Sequence, residues 1–153
     1  MEQLERPDEA TWDERRLWFE EREAALGRAG AGALSEQACA LMIDLQVAFC
    51  AEAWAAVVIL AAAVVDLQSN QRGAVPGLDK KERDWLRLLR NALVHEHPKR
   101  PGLTMRDQWT GRDRWEKKAR RAVEAALAAL YAPSRQPEDA PTAGAARRPG
   151  SGR

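Results

Sequence analysis

Apolar positions recur along this chain at helical spacing, with no alternating β-branched run and no Asn-Gly or Asp-Gly hairpin between apolar stretches. Four segments carry the pattern. The first, from Asp8 to Leu26, is rich in Glu and Arg and has Trp12, Trp18 and Phe19 as apolar anchors; Gly27, Gly30 and Gly32 end it. The second runs from Ser35 to Gln71 as one long helix. Around its wheel Gln37, Asp44, Glu52, Asp66 and Asn70 fall within about 80°, and most of the remaining circumference is apolar. Such a helix is packed on several sides. Gly73-Ala-Val-Pro-Gly77 then breaks the chain. The third segment opens at Asp79, with Glu82 three residues on as an Asp/Glu variant of the capping box. It runs to about His95–His97, where Pro98 and Pro101-Gly102 stop it. After a loop of about ten residues, a fourth segment extends from Thr110 to Tyr131 through the Ala-rich Ala122–Leu130. From Pro133 onward large apolar side chains all but vanish, the composition of a disordered tail over 133–153. The expected fold is all-α, a bundle of four or five helices on residues 8–132.

Composition narrows the class. A chain of 153 residues suits one domain, and 45% hydrophobic with 31% charged residues excludes a wholly disordered, collagenous or disulfide-scaffold protein. Cys39 and Cys50 share a helix face but lie about 16 Å apart along the axis, beyond disulfide reach. The opening Met1-Glu-Gln-Leu-Glu-Arg-Pro lacks the basic and apolar regions of a signal peptide. Both features favour a cytoplasmic protein whose cysteines act as small hydrophobes. The longest apolar run, Ala53–Val65, falls short of the roughly 20 residues of a membrane span, so no membrane association is expected.

The net charge of +1 hides a division. Residues 1–78 carry 6 basic and 13 acidic side chains, whereas residues 79–121 carry 14 basic and 7 acidic. An acidic half joined to a basic half fits a nucleic-acid partner or two solvated or mutually facing helical surfaces; on charge alone the second reading is favoured.

The third helix lies inside the basic segment. With Arg90 at zero on its wheel, Trp85, Leu86, Leu89, Ala92 and Leu93 fall between about 200° and 320°, the core-facing arc. Arg83, Arg87, Arg90, Asn91 and His95 fall between about 0° and 140°, on the opposite side. Leu88 and Val94 enter that polar arc and need cover, which a second subunit would supply. Arginines at i, i+4 and i+7 suit successive phosphates, and a histidine beside them exchanges protons near neutral pH.

Arg90-Asn91-Ala92-Leu93-Val94-His95 resembles the R-x4-H signature of the HEPN superfamily, with a polar residue directly after the Arg. The layout over 35–131 is similar too: a long apolar helix, a linker, the motif helix, a loop and an amphipathic closing helix. The resemblance implies a metal-independent endoribonuclease of toxin or phage-defence type, without cofactor, whose homodimer brings two Arg/His pairs into one cleft. It implies His95 as general base or acid, Arg90 holding the phosphate, Asn91 orienting either, and 2′,3′-cyclic phosphate and 5′-hydroxyl products. It also implies an antitoxin or sensor protein as a further partner. One departure stands out. The branch controlled by nucleotide transfer has a tyrosine two positions after the motif histidine, where this chain has His97, so control by that modification is not expected. His97 either helps bind phosphate or ends the helix, where an imidazolium suits the dipole; the second is favoured. The alternative for the whole domain is a non-catalytic HEPN-like module for dimerisation or partner binding. Arg90 would then pair with a carboxylate such as Asp84, Glu96 or Asp66, and His95 would be buried. In a nuclease both tips would be open.

Three further features bear on chemistry. His95-x-His97 does not converge on a helix and no Cys or Asp cluster accompanies it, so no metal site is expected. Glu52 either faces the cleft and tunes the histidine or lies on solvated surface, the favoured reading. Trp109, Arg112, Arg114 and Trp115 interleave aromatic and basic groups before the fourth helix. This pattern suits base stacking and phosphate contact, with Arg112 and Arg114 as RNA-binding candidates, or a tryptophan staple within the bundle.

Overall fold

The long apolar segment expected as a single helix is broken in the middle. In the computed structural model, which describes residues 6–27, 34–72, 77–95, 97 and 99–132, α2 spans Glu36–Cys50 and α3 spans Trp54–Arg72. The break needs no glycine. The Ala53 N–H reaches back to the Ala48 carbonyl at 2.9 Å and the Glu52 N–H to the Phe49 carbonyl at 3.2 Å, the paired closing bonds of a Schellman motif. Glu52 occupies the left-handed position of that motif, with φ at 61°, where a side chain costs about 1 kcal/mol.

The remaining elements are α1, Glu9–Gly27; α4, Lys80–Val94; α5, Met105–Thr110; and α6, Arg112–Leu130. The described residues thus form six helices and no strand, an all-α fold with two more helices than the four segments expected. One arises from the break at Glu52. The other, α5, occupies the expected loop and is opened by a reciprocal capping box: the Thr104 hydroxyl accepts from the Asp107 N–H at 3.2 Å, and the Asp107 carboxylate accepts from the Thr104 N–H at 3.0 Å. The Thr104 contacts, despite the opposing effect of desolvation, hold the Asp107 carboxyl down to about 2, with Arg114 adding to the effect. No such box forms at α4. Asp79 caps it by accepting from the Lys81 N–H at 3.3 Å, but Glu82 instead takes both arms of Arg121, at 2.6 and 2.8 Å. The expected disordered tail, 133–153, lies outside the described residues, as do linker residues 73–76.

α2 and α3 form an antiparallel hairpin. Ser35, the N-cap of α2, donates its N–H to Gln68 near the end of α3 at 3.4 Å, while the other ends meet at Glu52. α1 and α6 run in the same direction, since Arg120 meets Glu14 at 3.2 Å, Arg22 meets Glu124 at 3.8 Å and the Tyr131 hydroxyl donates to Glu23 at 2.6 Å. The helix α3 is the centre of the bundle. Its Val57, Val58, Ala61, Val64 and Val65 are buried against Ala119, Ala122, Val123, Ala126 and Leu127 of α6 and Leu45 and Phe49 of α2. Alanine on the facing side of α6 lets the two helices approach closely. No helix among the described residues is long and apolar enough to cross a membrane. Cys39 and Cys50 are free thiols, and burial pushes that of Cys50 up.

The chain after α4 is pinned by Gly102. A Cβ built there would lie 2.0 Å from the carbonyl oxygen of Ala92 and 2.5 Å from its carbonyl carbon. Backbone therefore rests directly on the last turn of α4. Gly102→Ala is expected to destabilise the fold by about 2 kcal/mol, the scale of overpacking, measurable as a lowered midpoint of urea unfolding; an unchanged midpoint would show that this segment does not brace α4.

Candidate functional site

The motif sits at the end of α4, on a helix turned differently from the simple wheel. Leu86 is fully buried, Trp85, Leu89 and Leu93 are half-buried, and Ala92, expected in the core, is exposed. The buried pole thus lies toward Leu86 and Leu93 instead of midway between Trp85 and Leu93. Arg90 is only about 40° from Leu86 around the helix, so it borders the core and is half-buried. One arm of Arg90 meets the Asp66 carboxylate of α3 at 3.5 Å, the two side chains being 31% and 52% exposed. That separation is the outer limit of a hydrogen bond. Asn91 and Arg83 are likewise half-buried; Arg87 is exposed and meets Asp84 at 3.5 Å.

His95 terminates α4. Its N–H still donates to the Asn91 carbonyl at 3.0 Å, but its backbone is extended, with φ −121° and ψ 104°. The imidazole is exposed. The helix does not reach His97. That residue is exposed in a separate turn, where its Nδ1 accepts from the Lys99 N–H at 3.3 Å and its carbonyl from the Arg100 N–H at 2.9 Å. His97 therefore does not continue the Arg83–Arg90 stripe of the helix. The structure combines features of both outcomes set out above: Arg90 has a carboxylate neighbour, and His95 is open. Leu88 and Val94 are 64% and 44% exposed on the same helix.

Glu52 and Arg112 belong to a different constellation. Glu52 is half-buried and engaged by arginines instead of lying on open surface. Its carboxylate lies 2.8 Å from Arg15 and 2.5 Å from Arg112, which also donates to the Glu52 carbonyl at 3.1 Å. Both guanidiniums lie over Trp54, at 5.1 and 5.9 Å from its ring. Burial works against the Glu52 anion, yet the hydrogen bond from Arg112 and the close Arg15 guanidinium outweigh it and hold the carboxyl below its usual range. This cluster ties α1 and α6 to the turn between α2 and α3. It engages Arg112, which had been expected to contact RNA. Arg15, 6% exposed, was missed altogether; its place three and four residues before Trp18 and Phe19 was the available signal. Arg114 bonds Asp107 and stays exposed. Of the two nearby tryptophans, Trp115 is buried as a staple, and Trp109 is exposed.

The end of α4 thus presents an exposed imidazole and, one turn earlier, a guanidinium with a single marginal partner among the described residues. Comparison with protein-family models, with curated proteins and with solved structures returned no match.

Proposed function

We propose that this protein is a metal-independent endoribonuclease of toxin or phage-defence type, HEPN-like, acting in the cytoplasm as a homodimer under an antitoxin or sensor protein. The supporting observation is the open imidazole of His95 just beyond Arg90 at one helix end. His95 takes the proton from a ribose 2′-hydroxyl, the 2′-oxygen bonds to the adjacent phosphorus, and the 5′-oxygen leaves with a proton from a second histidine. One imidazole does not readily serve both sides of a phosphorus, so the partner copy supplies the other. Leu88 and Val94 give that copy an apolar seat beside the site. Arg90 exchanges Asp66 for the phosphate and stabilises the charge that grows on its oxygens, with Asn91 orienting the pair. Purified protein incubated with mixed RNA in EDTA is expected to yield fragments ending in 2′,3′-cyclic phosphate and 5′-hydroxyl, and to leave DNA intact. Absence of fragments at high protein concentration would overturn the proposal.

The contact between Arg90 and Asp66 favours a second reading, a non-catalytic module in which the pair is structural. Asp66→Asn separates the two. As a surface pair it is worth less than about 1 kcal/mol, so the ribonuclease reading expects a nearly unchanged melting temperature and cleavage that is undiminished. The structural reading expects a clear loss of stability and no cleavage in either protein.

A further inference from the structure

Trp109 stands apart from the other tryptophans. It is 51% exposed, whereas Trp54 and Trp115 are buried and Trp12, Trp18 and Trp85 are half-buried. It forms no ring or cation contact among the described residues. About half of this large ring is left in water, on a six-residue helix. Arg106 precedes it by three residues and so neighbours it on the same helix. Lys99, Arg100, Arg106 and Lys117 are exposed and carry no ion pair among the described residues, while Asp107 is already taken by Thr104 and Arg114 and Glu116 by Arg120. Arg106, Arg114 and Lys117 line one shallow depression, together with Asp107 and the exposed carboxylate of Asp113. The contact of Gly102 with Ala92 holds this segment against the end of α4.

We infer that α5 and the start of α6 form a contact site for single-stranded nucleic acid, in which an unpaired base stacks on Trp109 and Arg106 and Lys117 hold the flanking phosphates. An aromatic face beside unpaired cations is the chemistry that takes such a strand without reading its sequence. A duplex hides the faces of its bases and gains only the phosphate contacts. Stacking does not read the 2′-hydroxyl, so single-stranded DNA binds here about as well as RNA. The inference adds a strand-holding surface to the proposed nuclease but stands on binding, which is measured apart from cleavage.

The test uses the full chain in the His95→Ala background, so that RNA stays intact, and fluorescence anisotropy of labelled single-stranded RNA and DNA oligonucleotides and their duplexes. Trp109→Ala is expected to weaken single-strand binding about tenfold, within the range for losing one base–aromatic stack, and Trp109→Phe to retain most of it. The double variant Arg106→Ala with Lys117→Ala is expected to lower the slope of log affinity against log salt by about 2. Single-strand affinity within twofold of the parent after Trp109→Ala overturns the inference, as do equal binding of duplex and no binding of either single strand. Trp109→Ala binding a protein partner less well with no change toward nucleic acid would also overturn it, and would mark the patch as a protein-docking face. Failure of the ribonuclease proposal would appear separately, as binding without cleavage in the unsubstituted protein.

Discussion

Glu52→Ala is expected to destabilise the fold by about 3 kcal/mol at neutral pH, the cost of removing one partner from a largely buried ion cluster. Arg15 is 6% exposed, and without Glu52 its nearest carboxylate is Glu116 at 3.9 Å. Arg112 loses its carboxylate partner and keeps only the backbone carbonyl of residue 52 and the 3.5 Å contact to Gln108. Glu52→Gly separates the charge from the backbone: glycine also loses the carboxylate, but it adopts the left-handed conformation without strain and should recover about 1 kcal/mol relative to alanine. Urea unfolding of the three proteins checks the order wild type, Gly, Ala. The ion cluster also dictates a pH response. The Glu52 carboxyl is lowered from 4.5 in the fold, so below that value the unfolded chain binds the extra proton first. Its contribution is complete above about 4.5 and is lost as pH falls through the lower folded value. The stability gap between wild type and Glu52→Ala should therefore narrow on acidification; a constant gap would show that the carboxylate charge is not what matters.

Arg90→Ala is expected to lower cleavage by about 10²- to 10³-fold, as loss of a charge-stabilising donor does, while stability changes by less than about 1 kcal/mol. The small structural cost follows from its single 3.5 Å contact to a half-exposed carboxylate. Paired activity and melting measurements decide the matter. A collapse in melting temperature together with lost activity would assign Arg90 to the fold.

Much of this arrangement was legible in the sequence because it rests on helical periodicity and punctuation. The extent of α1, the start of α4 at Asp79 and the end of α6 near Tyr131 follow from apolar spacing, an acidic cap and a change of composition. The break at Glu52 was not legible. Alanine on both sides keeps the apolar pattern running, and the left-handed position that usually carries glycine carries a glutamate whose justification, Arg15 and Arg112, is distant in sequence. α5 was hidden by its brevity, although Thr104 and Asp107 form a capping pair at the expected three-residue spacing. On α4 the wheel placed Arg90 opposite the core, yet the real orientation is set by α3 and α6, whose positions no local pattern encodes. Half-burial of Arg90 and its meeting with Asp66 follow from that tertiary choice. The exposure of His95 was an expectation of the nuclease reading that the helix end supplies directly. Among the interleaved aromatic and basic residues 109–115, Trp115 is buried as a staple and Trp109 is exposed.

The central claim is that His95 moves a proton during RNA cleavage. The most direct measurement incubates RNA in EDTA with wild-type protein and, side by side, with His95→Ala prepared identically and shown to melt at the same temperature. The account predicts cleavage by the wild type and a loss of about 10²-fold or more in the variant, the typical contribution of a positioned acid or base. Equal cleavage by the two proteins, or none by either, would contradict it.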